Sequence, residues 1–317
     1  MPGAPGGRSA TLVVVAAITA IVCATAGAAS AQEPSEPSSG GGVTDASSDG
    51  SDGPGASESS SGGSSGSSAA GSGGLRLKTE STSPGKVFFK GVRKATYQYS
   101  IAGRRPRDLK VQAVRRSNGE VVRTWRRDNV EPGTKHAIRW AGTSQNGGEA
   151  RKGMYVFRVR EPDGRAAERS RTKKTARFRL FPHKFPVRGA HQYWDGFGAG
   201  RNHMGQDLGA RCGSRVVAAR GGKVQWRGYQ ASGAGYYLVI DGRATSRDYV
   251  YMHLRRKHRP QDGERVRTGQ RIGLVGNSGN SSDCHLHFEI WSRPGWYDGG
   301  HAMRSVSKRL KEWDAWS

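Results

Sequence analysis

The first half of the chain shows the alternation of half-buried β-strands. Residues 95–100, 110–114 and 155–159 alternate apolar and polar side chains. Turn-forming pairs such as Asn118-Gly119 and Asp163-Gly164 separate such runs. Short strands spaced by turns are typical of a β-sandwich, and we predict one over residues 75–181.

The second half, residues 182–317, also favours strands. Residues 216–219, 223–226, 236–240 and 249–252 are rich in β-branched and aromatic side chains. Residues 305–316 instead predict one short helix with Leu310 and Trp313 on a single face. The expected fold class is therefore all-β and mostly antiparallel, with two domains.

The N-terminus has the pattern of an export signal. Arg8 precedes an apolar run at 11–23, and Ala29-Ser30-Ala31 offers a small-x-small cleavage site. The run is short for a membrane span and no stop-transfer charges follow it, so we expect a signal peptide over 1–31 and no lasting membrane anchor. Val22 is too bulky for the usual residue before a lipidated cysteine, which argues against lipidation of Cys23.

Residues 32–74 consist of Ser, Gly, Ala, Pro and a few acids, with no base. Such a composition buries too little apolar surface to offset chain ordering, so we predict a disordered linker. Residues 75–317 are the opposite, with 50 Lys and Arg against 20 Asp and Glu. A segment this basic indicates a polyanionic partner. Nucleic acid and an anionic cell wall are the candidates. The sequence shows no recognised nucleic-acid motif, and the export signal favours the wall.

Four histidines of the second half stand in three compact settings. His203 and Asp207 are four residues apart, and His253 ends a predicted strand. His285 and His287 begin another, where residues two apart point to the same face. A catalytic zinc takes three nitrogen or oxygen ligands and keeps one open position. Two imidazoles and a carboxylate meet that need, and two imidazoles remain for proton handling.

Residues 185–291 resemble the lysostaphin-type zinc endopeptidases of bacterial cell walls. The family pattern is His-x-Gly-x-Asp, Tyr-x-His-Leu, Gly-x-x-Gly and His-Leu-His-Phe-Glu. The matching residues follow in that order: His203, Gly205 and Asp207; Tyr251, His253 and Leu254; Gly276 and Gly279; and residues 285–289. The resemblance implies a β-rich peptidase domain with an open groove over residues 182–317.

The resemblance also implies roles for single residues. His203, Asp207 and His287 would hold one Zn²⁺, while His253 and His285 would act as the acid/base and transition-state pair. The implied activity is hydrolysis of peptide cross-links in peptidoglycan. The expected enzyme is secreted, associated with the cell wall and its anionic polymers, monomeric, and without a specific nucleic-acid partner.

The segment around Trp140 resembles the Ig-like domain of the flagellar hook-capping protein. The shared pattern is Trp140, Gly142, Gly153 and Tyr155. This resemblance implies an Ig-like fold for the predicted sandwich and nothing about flagella. A spacer and a binding module are equally open as its role.

Two cysteines remain after removal of the signal peptide. Cys212 follows Asp207 by five residues, and Cys284 directly precedes His285. If both motifs meet at one zinc, the cysteines are drawn together, and we predict a disulfide between them, which an exported protein permits. Two buried free thiols are the alternative.

The sequence predicts less specific roles for other residues near the motifs. Arg201 could contact substrate or be a surface charge. We expect Gly205 to make a tight turn that returns Asp207 towards His203, and glycine-rich loops to line a narrow groove. The remaining histidines are expected to be structural: His136, His183, His191, His258 and His301.

Three alternatives to the enzyme stay open on the sequence alone. They are a non-catalytic regulator of other wall hydrolases, a nucleic-acid binder, and an adhesin led by the sandwich. If the chain is such an enzyme, the bond that it hydrolyses could be a D-alanyl cross-link or a glycine bridge. The Arg-, Ala- and Gly-rich composition resembles that of a high-GC actinobacterium, whose walls commonly use direct or short cross-links. We therefore expect the D-alanyl bond.

Overall fold

The computed structural model describes residues 74–168, 177–200, 202–256 and 260–317. The predicted signal peptide, nearly all of the predicted linker, Arg201 and His258 lie outside these ranges. Ser68–Ser317 group as one compact unit. The described part of the chain holds no helix whose length and apolar character would carry it across a bilayer.

Eight strands form a β-sandwich. One sheet has the order β1-β3-β6 and the other β2-β8-β7-β4-β5, with β2 and β8 the parallel pair in an otherwise antiparallel set. Both sheets contribute to a single hydrophobic core. The strands are β1 Arg76–Ser83, β2 Lys86–Phe88, β3 Ala95–Ala102, β4 Arg107–Arg115, β5 Val121–Val130, β6 His136–Trp140, β7 Gly153–Arg160 and β8 Arg177–Phe181.

Aromatic side chains occupy the centre of the sandwich. Trp140 meets Tyr155 edge-on at a centroid distance of 5.0 Å and Phe178 at 5.6 Å. Its indole nitrogen donates to the carbonyl of Thr143, 2.8 Å away, so the buried polar atom is satisfied. The predicted sandwich is therefore present, and its likeness to an Ig-like domain stays a prediction.

Ten further strands and one helix lie in the described residues after Phe181. The main sheet has seven strands in the order β10-β11-β18-β15-β14-β13-β16, and a small sheet has the order β17-β12-β9. The described part of the molecule is thus nearly all β and mostly antiparallel, as predicted. The strands are β9 Val187–Arg188, β10 His191–Tyr193, β11 Gln206–Ala210, β12 Arg215–Val217, β13 Gly222–Gln230, β14 Gly235–Gly242, β15 Arg247–Leu254, β16 Arg265–Val266, β17 Arg271–Leu274 and β18 His285–Ser292.

The C-terminal helix α1 spans Val306–Asp314 and buries Val306, Leu310 and Trp313, which confirms the predicted helix and its apolar face. The strand expected over 216–219 ends at Val217 instead. Ala218 and Ala219 are fully buried outside regular structure. Their apolar side chains therefore indicate burial in the core and not membership of a strand.

The two faces of the seven-stranded sheet have different roles. On β18, Leu286, Phe288 and Ile290 point into the second hydrophobic core. His287 is 6% exposed and lies with Glu289 on the opposite face, because alternate residues of a strand point to opposite sides. The apolar half of this strand thus fixes the orientation of its polar half.

An ion pair joins the sandwich to the second half. Arg220 has no exposed side-chain surface, and its guanidinium donates to both oxygens of Glu149 at 2.9 and 2.8 Å. The same guanidinium lies 4.2 Å from the ring centroid of Phe89. The hydroxyl of Thr268 donates to the carbonyl of Phe89, 2.7 Å away. These contacts hold the edge of the sandwich against the second sheet system.

Candidate metal centre

The centre begins with a cross-strand pair. β11 and β18 are antiparallel neighbours, and their register places Asp207 opposite His287. Nδ1 of His287 lies 2.8 Å from Oδ1 of Asp207. His203 lies on the loop before β11, with Nε2 3.0 Å from the same oxygen. Strand pairing and a short loop therefore bring together three side chains from two distant parts of the sequence.

The orientation of His203 leaves one ring nitrogen without a hydrogen bond. Nδ1 donates to the carbonyl of Gly196, 2.9 Å away, so the neutral ring carries its lone pair on Nε2. Nε2 is buried and makes no hydrogen bond, since its contact with Asp207 is short but not suitably directed. A buried polar atom without a partner is rare and needs a reason, and a metal ion is one.

These three side chains fit a metal. The ligand atoms that His203, Asp207 and His287 offer lie within 4.8 Å of one another. Two imidazole nitrogens and one carboxylate oxygen are the donor set of many catalytic zinc sites, which leave a fourth position open. The residues predicted as ligands are therefore close enough to share one ion.

Electrostatics at the cluster favour a cation. Burial by itself raises the pKa of Asp207, but the adjoining His203 and His287 imidazoles more than reverse this and hold the pKa well below its usual range. Burial likewise opposes charge on His287, but Asp207 and Glu289 raise its pKa to about 9. Two carboxylates therefore demand positive charge at this point, which a divalent ion also supplies.

His285 and His253 stand beside the ligand cluster. His285 turns Nε2 towards the centre, 3.6 Å from Oδ1 of Asp207, while its Nδ1 lies 2.9 Å from the carbonyl of Asp283. The rings of His253 and His285 are 4.7 Å apart between centroids. The structure thus brings together all five side chains predicted for the site.

His253 is held as a neutral base. Its Nδ1 donates to the carbonyl of Ser278, 2.8 Å away, which leaves the lone pair on Nε2. Burial lowers the pKa of His253 to about 4, against the opposing effect of that hydrogen bond. Its backbone has a φ of 58°, the left-handed region that costs a residue with a side chain. The bond to Ser278 and the buried ring hold it there.

Glycine is required where two loops cross beside His253. Gly235 and Gly279 both have positive φ values, +59° and +78°. A Cβ on Gly279 would collide with the backbone of Gly235. Their absence of side chains lets the loops pack closely enough for Ser278 to reach His253. The glycines expected to line a groove therefore also position a site residue.

Glycine is required at position 205, but not for the tight turn that the sequence predicted. Its φ is not in the left-handed region, but a Cβ there would lie 2.6 Å from Nε2 of His287 and 2.7 Å from the carbonyl of Phe288. Glycine at this position makes room for the His287 ring against the chain of the other ligand loop.

Glu289, which had no role predicted from the sequence, contacts a candidate ligand. Its Oε1 lies 2.9 Å from Nε2 of His287, and its Oε2 accepts a hydrogen bond from Nε1 of Trp291 at 2.7 Å. A carboxylate behind a ligand histidine fixes the ring's tautomer and orientation. The signal was available, because His287, Glu289 and Trp291 follow the two-residue period of one strand face.

The Cys212–Cys284 disulfide is present, which confirms the predicted pairing. It borders a groove of about 490 Å³ that Trp194 and Gly209 also line. The ring of Trp194 lies 5.8 Å from that of His285 between centroids. Trp194 therefore lies between this groove and the histidine cluster, and a covalent cross-link lies in the groove wall.

The other described histidines lie apart from the cluster. His183 is buried, hydrogen-bonded to the hydroxyl of Tyr249 at 2.7 Å and stacked on Trp313. His191 lies 3.0 Å from a carboxylate oxygen of Asp314. Neither His136 nor His301 is part of the metal cluster.

Comparison with known proteins identifies the region around this site. Residues 201–301 match the family model described as Peptidase family M23. This part of the chain is similar to peptidase family M23. The match includes all five cluster residues and ends before α1.

Curated relatives match the same part of the chain. An uncharacterized metalloprotease of Haemophilus influenzae is 42% identical over 112 residues, which are 35% of this chain and 22% of the relative. Peptidoglycan DD-endopeptidase ShyC of Vibrio cholerae is 30% identical over 132 residues, 41% of this chain and 29% of the relative. Glycyl-glycine endopeptidase ALE-1 of Staphylococcus capitis is 36% identical over 91 residues, 28% of this chain and 25% of the relative. The chain thus spans about a quarter of the length of these relatives.

Among solved structures, the catalytic domain of lysostaphin from Staphylococcus simulans is 28% identical to this chain. The alignment covers 38% of this chain and 92% of that domain, with a TM-score of 0.35.

Proposed function

We propose that this chain is a secreted zinc metalloendopeptidase that hydrolyses peptide cross-links of bacterial peptidoglycan. One observation carries the proposal. A cluster of two imidazoles and a carboxylate can bind a metal, and two further imidazoles flank it. The similarity to peptidase family M23 and the names of the relatives support the same reaction class.

His203, Asp207 and His287 would hold the zinc. His203 would bind through Nε2, since its Nδ1 is used by Gly196, and His287 through Nδ1, since its Nε2 faces Glu289. Bound zinc would supply Lewis acidity and make hydroxide available from water near neutral pH.

The two flanking histidines would handle protons and charge. His253 has a free lone pair on Nε2 and a lowered pKa, which suits it to accept a proton from the attacking water. If Nδ1–H of His285 donates to Asp283, a proton taken up on its Nε2 makes the ring a cation directed at the centre. With the proton that His253 takes from water relayed to it, such a ring would stabilise negative charge developing on the peptide carbonyl oxygen and then pass that proton to the leaving amine.

The groove fits a thin, flexible peptide. Its walls combine Gly209 and the Cys212–Cys284 cross-link with the rings of Trp194 and His191. Among short cross-links we propose the D-alanyl bond over the glycine bridge. The actinobacterium-like composition supports that choice, and a DD-endopeptidase and a glycyl-glycine endopeptidase both occur among the relatives.

Export fits the chemistry of the molecule. A disulfide at the groove suits an oxidising compartment, and the strongly basic body would concentrate the enzyme on an anionic wall. We therefore propose an extracellular, wall-associated monomer.

Purified muropeptide dimers of defined cross-link type test the proposal. The zinc-loaded protein should release new D-alanine carboxyl ends, detected by mass spectrometry, and the His285→Ala variant should not. Cleavage confined to glycine bridges would overturn the D-alanyl preference and keep the enzyme class. No cleavage of any dimer by a zinc-loaded protein would favour the non-catalytic regulator.

A further inference from the structure

A strongly basic pocket lies where the sandwich meets the second sheet system. Its volume is about 360 Å³, and half of its ten lining residues are cationic. Lys90 and Lys94 come from the sandwich side of the pocket. Arg243 follows β14, Arg265 lies on β16 and Arg267 follows β16.

No lining residue of this pocket is acidic. Within the described ranges, none of its five cations makes an ion pair with a carboxylate. The nearby carboxylate of Glu149 is already engaged by Arg220. All five cations therefore line one concave site with no carboxylate in its lining.

The cations repel one another at this site. Burial lowers the pKa of Lys90, and the positive charges of Arg243, Arg123 and Lys94 lower it further. Like charges gathered in a pocket destabilise the folded chain unless an anion compensates them. A bound anion would reduce this repulsion among the cations.

The pocket is built on fixed backbone. Val92 donates its backbone N–H to Thr268 at 3.1 Å, and the Thr268 hydroxyl accepts from Gly221 at 2.9 Å. A Cβ on Gly221 would lie 2.7 Å from the backbone nitrogen of Thr268. The floor is therefore a close crossing of two chain segments that leaves no room for added side chains.

We propose that this pocket is a binding site for the phosphodiester groups of an anionic cell-wall polymer. That the polymer belongs to the wall rests on the proposed function, whereas the phosphate chemistry rests on the pocket itself. Arg guanidinium groups match phosphate oxygens through paired N–H donors, and Lys adds point charge.

The number of cations favours a polymer over a single ion. Free phosphate brings about two negative charges near pH 7 and would leave most of the five cations uncompensated. Several consecutive phosphodiesters, each with one charge, would match them. The pocket is distinct from the histidine cluster, so binding here would retain the enzyme on the wall without taking part in the cleavage.

The experiment compares two triple variants in the full mature protein. Lys94→Gln, Arg243→Gln and Arg265→Gln together remove three pocket charges. Arg104→Gln, Arg105→Gln and Arg126→Gln together remove three exposed charges of the sandwich. Binding to poly(glycerol phosphate), inorganic phosphate and a single-stranded DNA 20-mer is measured by calorimetry at several salt concentrations.

The pocket variant should bind poly(glycerol phosphate) at least tenfold more weakly, with a shallower salt dependence, while the control variant changes less than twofold. Inorganic phosphate should bind the wild type far more weakly than the polymer does. Equal losses in both variants would show diffuse attraction and overturn the site. Tighter binding of DNA through the same three residues would overturn the wall polymer as its ligand.

Hydrolysis of soluble muropeptide dimers separates the two proposals. The pocket variant should keep wild-type rates on dimers, so failure of the polymer site would leave the proposed enzyme intact. Each single substitution is measured as well, so that a folding defect in the triple variant does not decide the result. If all three single variants bind the polymer like the wild type, the proposed site is wrong.

Discussion

His287 and Glu289 are two residues apart on β18, and Nε2 of His287 lies 2.9 Å from Oε1 of Glu289. Since Nδ1 of the same ring faces Asp207, this carboxylate fixes which nitrogen can reach a metal. Glu289 is itself held by Trp291. The candidate ligand is thus oriented by a chain of three side chains along one strand face.

Glu289→Ala should weaken zinc binding by about 10- to 100-fold, because the ligand ring loses the group that orients it. Glu289→Gln should lose less, since its amide oxygen can still accept the hydrogen bond. Competition with a chelator measures the affinity, and Glu131→Ala, at an exposed position, is the matched control. Unchanged zinc affinity in Glu289→Ala would contradict the orienting role.

Two alanine variants distinguish the ligand role of His203 from the proton-handling role of His285. His203→Ala should lose both zinc and activity. His285→Ala should keep zinc but lose about 10²- to 10⁴-fold in activity, because only the proton-handling group is missing. Elemental analysis of both purified variants decides it. Loss of zinc from His285→Ala would refute the division of roles.

Much of this site could be predicted from the sequence because its residues lie in short motifs with regular spacing. The two-residue period of β18 places His285 and His287 on one face, and the predicted strand over 249–252 leads directly to His253. The helix bearing Leu310 and Trp313 was predictable for the same reason.

Other features could not be predicted, because they depend on contacts between distant segments. The 2.9 Å bond from His203 to the carbonyl of Gly196 follows from how one loop folds, not from a side-chain pattern. Gly205 looked like a turn residue, and only the packed structure shows the His287 ring beside it. The ion pair between Arg220 and Glu149 likewise joins two parts of the chain that no local pattern connects.

Replacing Cys212 and Cys284 by serine should lower the free energy of unfolding by about 4 kcal/mol at most, since the cross-link closes a long loop. Denaturant unfolding of the mature protein measures the change. Reducing agent should destabilise the wild type and leave the double variant unaffected. Two free thiols in the unfolded, unreduced wild type would contradict the bond.

His183 should make stability depend on pH. Burial holds the pKa of His183 well below 6.5, with further lowering from Arg220, so it is neutral in the folded protein. The unfolded chain binds the additional proton below pH 6.5, and stability should therefore fall as the pH drops below that value, by about 1.4 kcal/mol per pH unit at most. His183→Gln should flatten this slope in denaturant unfolding at several pH values. His301→Gln, at an exposed position, is the matched control, and an unchanged slope in His183→Gln would refute the assignment.

Glu149→Gln should destabilise the protein by about 3 kcal/mol, because it leaves the Arg220 guanidinium buried without its counter-charge. The matched control is Glu312→Gln, which breaks the exposed pair with Lys152 and should cost less than about 1 kcal/mol. Thermal and denaturant unfolding measure both. Equal effects would show that burial of Arg220 does not set the strength of its pair.

The contact between Arg220 and Glu149 also bears on distance. It ties together the two parts of the chain that line the basic pocket, and the second of these carries the histidine cluster. A polymer held in the pocket would then present neighbouring wall to the groove at a fixed reach, and each anchoring event raises the effective concentration of bonds within that reach. One weak attachment at the pocket would thus define how far from it the enzyme can hydrolyse a bond.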